Sequence, residues 1–337
     1  MTVRFFITID TEEDGWGEFQ TSGHSVENVM QLSRVQEIFD RYGAIPTYLV
    51  TYPVVKDCQA RELLLDILSR GRCEIGTHCH PWNTPPFREE INERNSMLFN
   101  LPYDLVAQKI ETLHREIIES FQVTPRCFRA GRWGFGPHVA RAIHHLGYQV
   151  DTSVIPFVDS RIYGGPDYRE APWHVYRFMP EAILLANPDS CLLEVPVTTG
   201  FLQNNFERCH GLTQWLSREI PRRFHLSGIL DRARLLNFRW LSPELCNGKD
   251  MVALAKTCLR QGCSHLNLSF HSTSLLLGKS PFVRNQTELE SFLGSIEQVL
   301  QFAADKGLVF SALSSILEEY PTGTMQGTQQ SQKVCPR

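Results

Sequence analysis

The stretch Thr77-His78-Cys79-His80-Pro81-Trp82 closes one of the strand-like runs of the chain. In an extended backbone, residues two apart point to the same side. His78 and His80 therefore present both imidazoles in one direction, a compact chelate for a transition metal. A second reactive cluster, Asp10-Thr11-Glu12-Glu13-Asp14, follows the apolar run Phe5-Phe6-Ile7-Thr8-Ile9. Asp10 and Glu12 share a side by the same alternation. Two carboxylates held together divide labour, one binding a cation while the other stays free as a base, and a divalent ion beside them keeps both ionised. Two imidazoles and one carboxylate make a three-ligand site that leaves positions open for water and substrate. Zinc suits that donor set best, and imidazole also accepts nickel, cobalt or iron.

Two further strand ends carry polar groups. Phe128-Arg129-Ala130-Gly131-Arg132-Trp133-Gly134 offers an arginine that can hold a carboxylate ionised and oriented, with glycines that allow backbone to approach a ligand closely. Leu268-Ser269-Phe270-His271 ends in a histidine suited to proton transfer near neutrality. Each feature also has a plain structural meaning: an acidic loop solvating a strand end, a histidine capping a turn, a structural ion pair, a satisfied core histidine. A different chemistry also fits the first cluster alone. An apolar strand ending in closely spaced acids resembles the nucleophile loop of haloacid-dehalogenase-type phosphatases, with Asp10 attacking phosphorus, but it gives the histidines no role. Cys79 lies between the two histidines and should point away from them into packing.

The elements that must position these groups follow from periodicity. Strands are expected over residues 3–9, 45–51, 73–77, 126–130, 149–152, 191–197, 265–270 and 308–312, and helices over 25–41, 61–70, 104–121, 138–146 and 286–306. Residues 156–180 read as loops, and 213–240 as two short helices interrupted at Pro221. Ser242-Pro243 reads as a helix start, broken early by Asn247-Gly248, with Asp250 capping a second helix that runs towards Gln261. Strands alternating with helices imply a parallel sheet with crossover connections. The fold class is α/β, and seven or eight such units would close into a barrel, with a doubly wound open sheet as the competing architecture. In parallel α/β barrels, chemistry gathers at the C-terminal strand ends, where Asp10–Asp14, His78–His80, Arg129–Arg132 and His271 all fall. The 337 residues show no linker or shift in composition, so residues 1–320 are expected to form one domain and the polar stretch 321–337 a disordered tail.

Composition narrows the function classes. Apolar residues make up 42% and charged residues 21%, ordinary for a soluble globular chain, and the net charge is -4 without a basic run. Nucleic-acid binding and polybasic membrane attachment are therefore disfavoured. No apolar stretch of membrane-spanning length is present. The ten cysteines form no C-x-x-C pair, so no disulfide framework is expected. With no leader-like pattern before the first strand, a cytoplasmic location is expected.

The ordered set Thr8-Ile9-Asp10-Thr11-Glu12, Glu74-Ile75-Gly76-Thr77-His78-Cys79-His80-Pro81, Phe128-Arg129-Ala130-Gly131 and Phe270-His271-Ser272 resembles the NodB-type polysaccharide deacetylases of the carbohydrate esterases. It looks closest to a cytoplasmic branch with an Asp-x-Glu first motif. The resemblance implies a distorted (β/α) barrel of about seven parallel strands and an N-deacetylase acting on a sugar or glycan. It implies that Asp10 is the general base, that Glu12, His78 and His80 hold one divalent metal, that Arg129 supports Asp10 and that His271 is the general acid. The sequence departs from the family in two places: Glu12 stands where Asp is usual, and the histidines are two apart rather than four. Asp14 is therefore an alternative carboxylate ligand, and Arg132 an alternative partner for Asp10. Two other functions stay in view, a metal-independent allantoinase-like amidohydrolase and a non-catalytic carbohydrate-binding barrel.

Overall fold

The computed structural model describes residues 3–217 and 226–321. The expected tail and the interruption at Pro221 lie outside those residues. The first strand, β1 (Arg4–Thr11), is buried along nearly its whole length. It is followed by a 3-10 turn and α1 (Leu32–Tyr42), β2 (Thr47–Val50), α2 (Tyr52–Lys56), α3 (Cys58–Ser69), β3 (Glu74–Cys79), α4 (Tyr103–Phe121), β4 (Cys127–Ala130), α5 (Pro137–His145) and β5 (Val150–Asp151). The second half runs β6 (Tyr176–Phe178), β7 (Leu192–Glu194), β8 (Thr199–Phe201), α6 (Phe206–Leu216), α7 (Leu226–Arg232), β9 (Phe238–Trp240), α8 (Gly248–Arg260), β10 (His265–His271), α9 (Gln286–Asp305) and β11 (Val309–Phe310).

Seven parallel strands lie in the order β10-β1-β2-β3-β4-β5-β7, with β6 antiparallel at the far edge and β11 beside the start of β1. The sheet curls so that its two faces meet different environments. Phe5, Ile7 and Ile9 pack outward with the helices, whereas Phe6 packs inward with Leu49, Cys127, Val150, Leu193 and Val195. Strand alternation then aims Thr8 and Asp10 into the barrel, and likewise His78, Arg129, Asn267 and His271. The interior is apolar at its base and polar above it. Thr8 Oγ1 donates to Asn267 Oδ1 at 2.9 Å, Asn267 Nδ2 donates to Thr152 Oγ1 at 3.0 Å, and the buried Arg129 guanidinium donates to Thr8 Oγ1 at 2.7 Å. Between β7 and β10 no ladder closes the barrel. Single backbone bonds cross there: Thr198 N–H to Asn267 O (3.3 Å), Leu241 N–H to Thr198 O (2.8 Å) and Ser269 N–H to Leu241 O (3.1 Å).

The second half departs from the sequence expectations. Strand β6 falls in a stretch read as loops, and β8 and β9 form a separate antiparallel ribbon, β9 within a stretch read as helical. Ser242-Pro243 starts one turn only, with Cys246 N–H on Ser242 O at 3.0 Å. Asn247 does not break a helix. Its side chain accepts from Asp250 N–H and caps α8, since Asn is a stronger N-cap than a continuing helix residue. The nine described cysteines are free. No described helix is long and apolar enough to cross a membrane.

One buried cation fixes the loop after β3. Lys109, on α4 and fully enclosed, donates through Nζ to the carbonyls of Pro81 (2.9 Å), Thr84 (2.8 Å) and Pro86 (2.7 Å) and pairs with Glu89 at 2.8 Å. This holds the segment that carries Trp82 beside His80. Replacing Lys109 with Met should cost about 3–5 kcal/mol, because Glu89 and three carbonyls lose their partner without water to replace it. Urea denaturation measures this. A loss below about 1 kcal/mol, the size of an exposed pair, would show that the cation is not structural.

Candidate active site

The ends of β1, β3, β4 and β10 deliver the expected polar side chains to one mouth. Glu12 Oε2 lies 3.7 Å from His78 Nε2 and 3.5 Å from His80 Nε2. One donor atom from each of the three residues falls within 4.8 Å of the others. A tetrahedral ion bonded at about 2.0–2.2 Å needs such atoms roughly 3.4 Å apart, so a small inward movement suffices. The ring nitrogens facing away are engaged: His78 Nδ1 lies 3.1 Å from the carbonyl of Arg129, and His80 Nδ1 3.2 Å from Glu13 Oε1. A carbonyl can only accept, so His78 carries its proton on Nδ1 and turns an Nε2 lone pair towards Glu12. The Glu12 carboxylate is buried and accepts no hydrogen bond from the described residues. Burial, aided by the charges of Glu13, Asp10 and Glu244, pushes its pKa well above the carboxylate range despite His271. A divalent cation fits the donor set and would reverse that shift.

Asp10 lies on the other side of this triad. Arg129 Nη1 donates to its Oδ1 at 2.6 Å, and Oδ2 lies 3.5 Å from His271 Nε2. Burial would raise the Asp10 pKa, but Arg129, His78 and His271 outweigh it and hold the carboxyl at about 2. Burial would lower the His271 pKa, but Glu244, Glu12 and Asp10 outweigh it and hold the imidazole at about 10. Burial carries His78 the opposite way, down to about 3, against the pull of Asp10. The neighbouring rings thus hold different protonation states, His78 neutral and His271 charged.

The alternatives left open in the sequence separate here. Asp14 accepts from Ser25 Oγ (2.6 Å) and Asn28 Nδ2 (2.8 Å) and lies 3.3 Å from Lys279 Nζ, so it pins the loop after β1 and does not face the histidines. Arg132, at φ 52°, turns to Ser96 and Glu93 on the pocket wall rather than to Asp10. Cys79 is buried against Thr84, where burial pushes its thiol up to about 12. Gly131 is required by a close approach: a Cβ there would lie 2.1 Å from His80 Cδ2 and 2.8 Å from the Cys79 carbonyl.

Three contributors were not singled out from sequence. Glu244, on the single turn after Ser242, accepts from His271 Nδ1 at 2.9 Å and from its backbone N–H at 3.0 Å. Glu13 accepts from His80. Trp82 stacks on the His80 ring at 4.0 Å. A cavity of about 650 Å³ opens above the site, walled by Trp16, Trp133, Tyr163, Trp240 and Phe282.

No family model and no curated protein matches the chain. Solved structures resemble it in three dimensions. A candidate glycoside hydrolase/deacetylase from Parabacteroides distasonis superposes with TM-score 0.62 at 11% identity, over 96% of this chain and 73% of that one. A candidate polysaccharide deacetylase from Mycobacterium smegmatis gives TM-score 0.52 at 14% identity, covering 95% and 91%. The Puue allantoinase gives 0.53 at 11% identity, covering 95% and 92%. The chain therefore has the curled α/β barrel shared by polysaccharide deacetylases and this allantoinase, the fold that its motifs imply.

Gly131→Ala should displace the His80 ring and weaken divalent-metal binding, with a stability loss of about 1–3 kcal/mol from overpacking. Zinc titration and urea denaturation of the same sample test this. Wild-type values in both would show that the approach is not tight.

Proposed function

We propose that the protein is a divalent-metal hydrolase that removes an acyl group, acetyl in the simplest case, from the nitrogen of an amino sugar. The observation that carries this reading is a carboxylate and an imidazole, Asp10 and His271, 3.5 Å apart beside the Glu12-His78-His80 group. Environments that push two titrating groups apart mark an acid and a base. The low pKa of Asp10 keeps it ready to accept a proton, and the high pKa of His271 keeps it ready to donate one.

A divalent ion held by Glu12, His78 and His80, zinc by donor type, would supply Lewis-acid polarisation of the amide carbonyl and acidify a water. The chain's own groups do the rest. Asp10 Oδ2 takes the proton of the attacking water, while Arg129 holds the other oxygen and fixes the carboxylate plane. As the carbon–nitrogen bond breaks, His271 Nε2 gives its proton to the departing amine, leaving a free amino sugar and a carboxylate. Glu244 aims the imidazole and keeps it charged until that step. The aromatic walls of the cavity offer flat apolar faces to sugar C–H groups.

An allantoinase-like hydrolysis without metal is the second reading, favoured by the likeness to the Puue allantoinase. Metal content decides between them. Chelator-treated protein should lose acetate release from a panel of N-acetylated sugars and regain it with zinc, and undiminished activity after chelation would favour the second reading. Asp10→Asn should reduce kcat by about 10²–10⁴-fold with the metal still bound. The rate should fall on the alkaline side as His271 loses its proton, and Glu244→Gln should move that limb to lower pH. A pH profile of kcat/KM unchanged by Glu244→Gln would remove His271 as the acid.

A further inference from the structure

Glu13 is a buried carboxylate aimed at the ring of one candidate metal ligand. Its Oε1 accepts from His80 Nδ1 at 3.2 Å and from Trp82 Nε1 at 3.0 Å, and its Oε2 from Thr51 Oγ1 at 3.2 Å. No arginine or lysine among the described residues pairs with it, and its side chain is only 6% exposed. The other buried ions of the site are compensated: Asp10 by Arg129, and Glu244 by His271. Three donors thus fix the carboxylate, and the one on the side of the site is the His80 ring. The opposite nitrogen of that ring, Nε2, faces Glu12 at 3.5 Å.

We propose that Glu13 is the positioning residue of the metal centre: it fixes His80 in the Nδ1–H tautomer and aims Nε2 at the ion. This rests on the proposed function. The arrangement of the two ligands is asymmetric. His78 leans on a main-chain carbonyl, which gives orientation without charge, and His80 leans on a carboxylate, which adds electron density to the ring and strengthens it as a donor. Trp82, stacked on His80 and hydrogen-bonded to the same carboxylate oxygen, prevents either group from rotating. The geometry also accounts for histidines two apart. The second comes at the end of β3, beside the carboxylate that follows Glu12 in sequence.

Glu13→Gln keeps the shape and an acceptor oxygen and removes only the charge. Zinc affinity, measured by competition with a chromophoric chelator, should fall about 10–100-fold, whereas the melting temperature of the metal-free protein should be unchanged. A purely structural Glu13 gives the reverse pattern, a metal-free protein that melts lower with zinc affinity intact, and that result overturns the inference. Should Glu13→Gln fail to fold, Glu13→Asp supplies the test: the charge stays but withdraws from His80, and affinity should fall about 10-fold, an unaltered affinity again overturning the inference. In the wild type, the His80 Nδ1 proton should resonate far downfield, as an N–H bonded to a carboxylate does, and move upfield in Glu13→Gln. A wild-type protein that takes up no divalent ion at all defeats the proposed function and this inference together; equal zinc affinity in wild type and variant defeats the inference alone.

Discussion

Burying ionised groups is costly unless each finds an opposite charge or well-aimed donors, and this constraint organises the mouth of the barrel. Asp10 meets Arg129 and Glu244 meets His271, each within hydrogen-bond distance. Glu12 and Glu13 remain, two carboxylates around two imidazoles whose free nitrogens converge. One donor atom each of Glu12, His78 and His80 lies within 4.8 Å of the others, a group that could hold a metal ion. The pairings also separate two titrating groups: Arg129 helps to hold Asp10 low and Glu244 helps to hold His271 high, both against the effect of burial.

The strands supply the rest. A parallel sheet curled on itself presents every second residue to its interior, and here the inward sequence on β1 runs Phe6, Thr8, Asp10 from base to mouth. Apolar packing gives way to a neutral hydrogen-bonded layer of Thr8, Asn267 and Thr152 and then to ions. Arg129 joins the upper two layers, with Nη2 on Thr8 and Nη1 on Asp10. Its guanidinium also lies 4.8 Å from the Trp133 ring, so one buried arginine ties the Asp10 carboxylate to the aromatic wall.

What was legible in the sequence depended on alternation. His78 with His80, Asp10 with Glu12, and the ends of β4 and β10 could be placed because strand parity fixes the side a residue faces. Glu13 escaped because parity would turn it away from Glu12, whereas two residues past the end of β1 at Thr11 the chain has left the strand and brings it to His80. Glu244 escaped because it sits on one turn between β9 and α8, 27 residues before the histidine it serves, and nothing local marks it. Ser242-Pro243 carried a real helix-start signal, but the turn it begins ends where Asn247 caps α8. The short strands β6, β8 and β9 have three residues each, too few to show a period.

The seam between β7 and β10 has a further meaning. Every ion of the site stands on β10, β1, β3 or β4, on the loop after β1, or on the turn that the seam itself bonds to β10. These strands form an unbroken ladder on one side of the break. The ribbon of β8 and β9 shares no ladder with it and joins it by isolated backbone bonds and by apolar packing against α8. A change in the loops of that ribbon would therefore reshape the cavity wall, where Trp240 stands, and leave the ladder that carries the ions its dimensions.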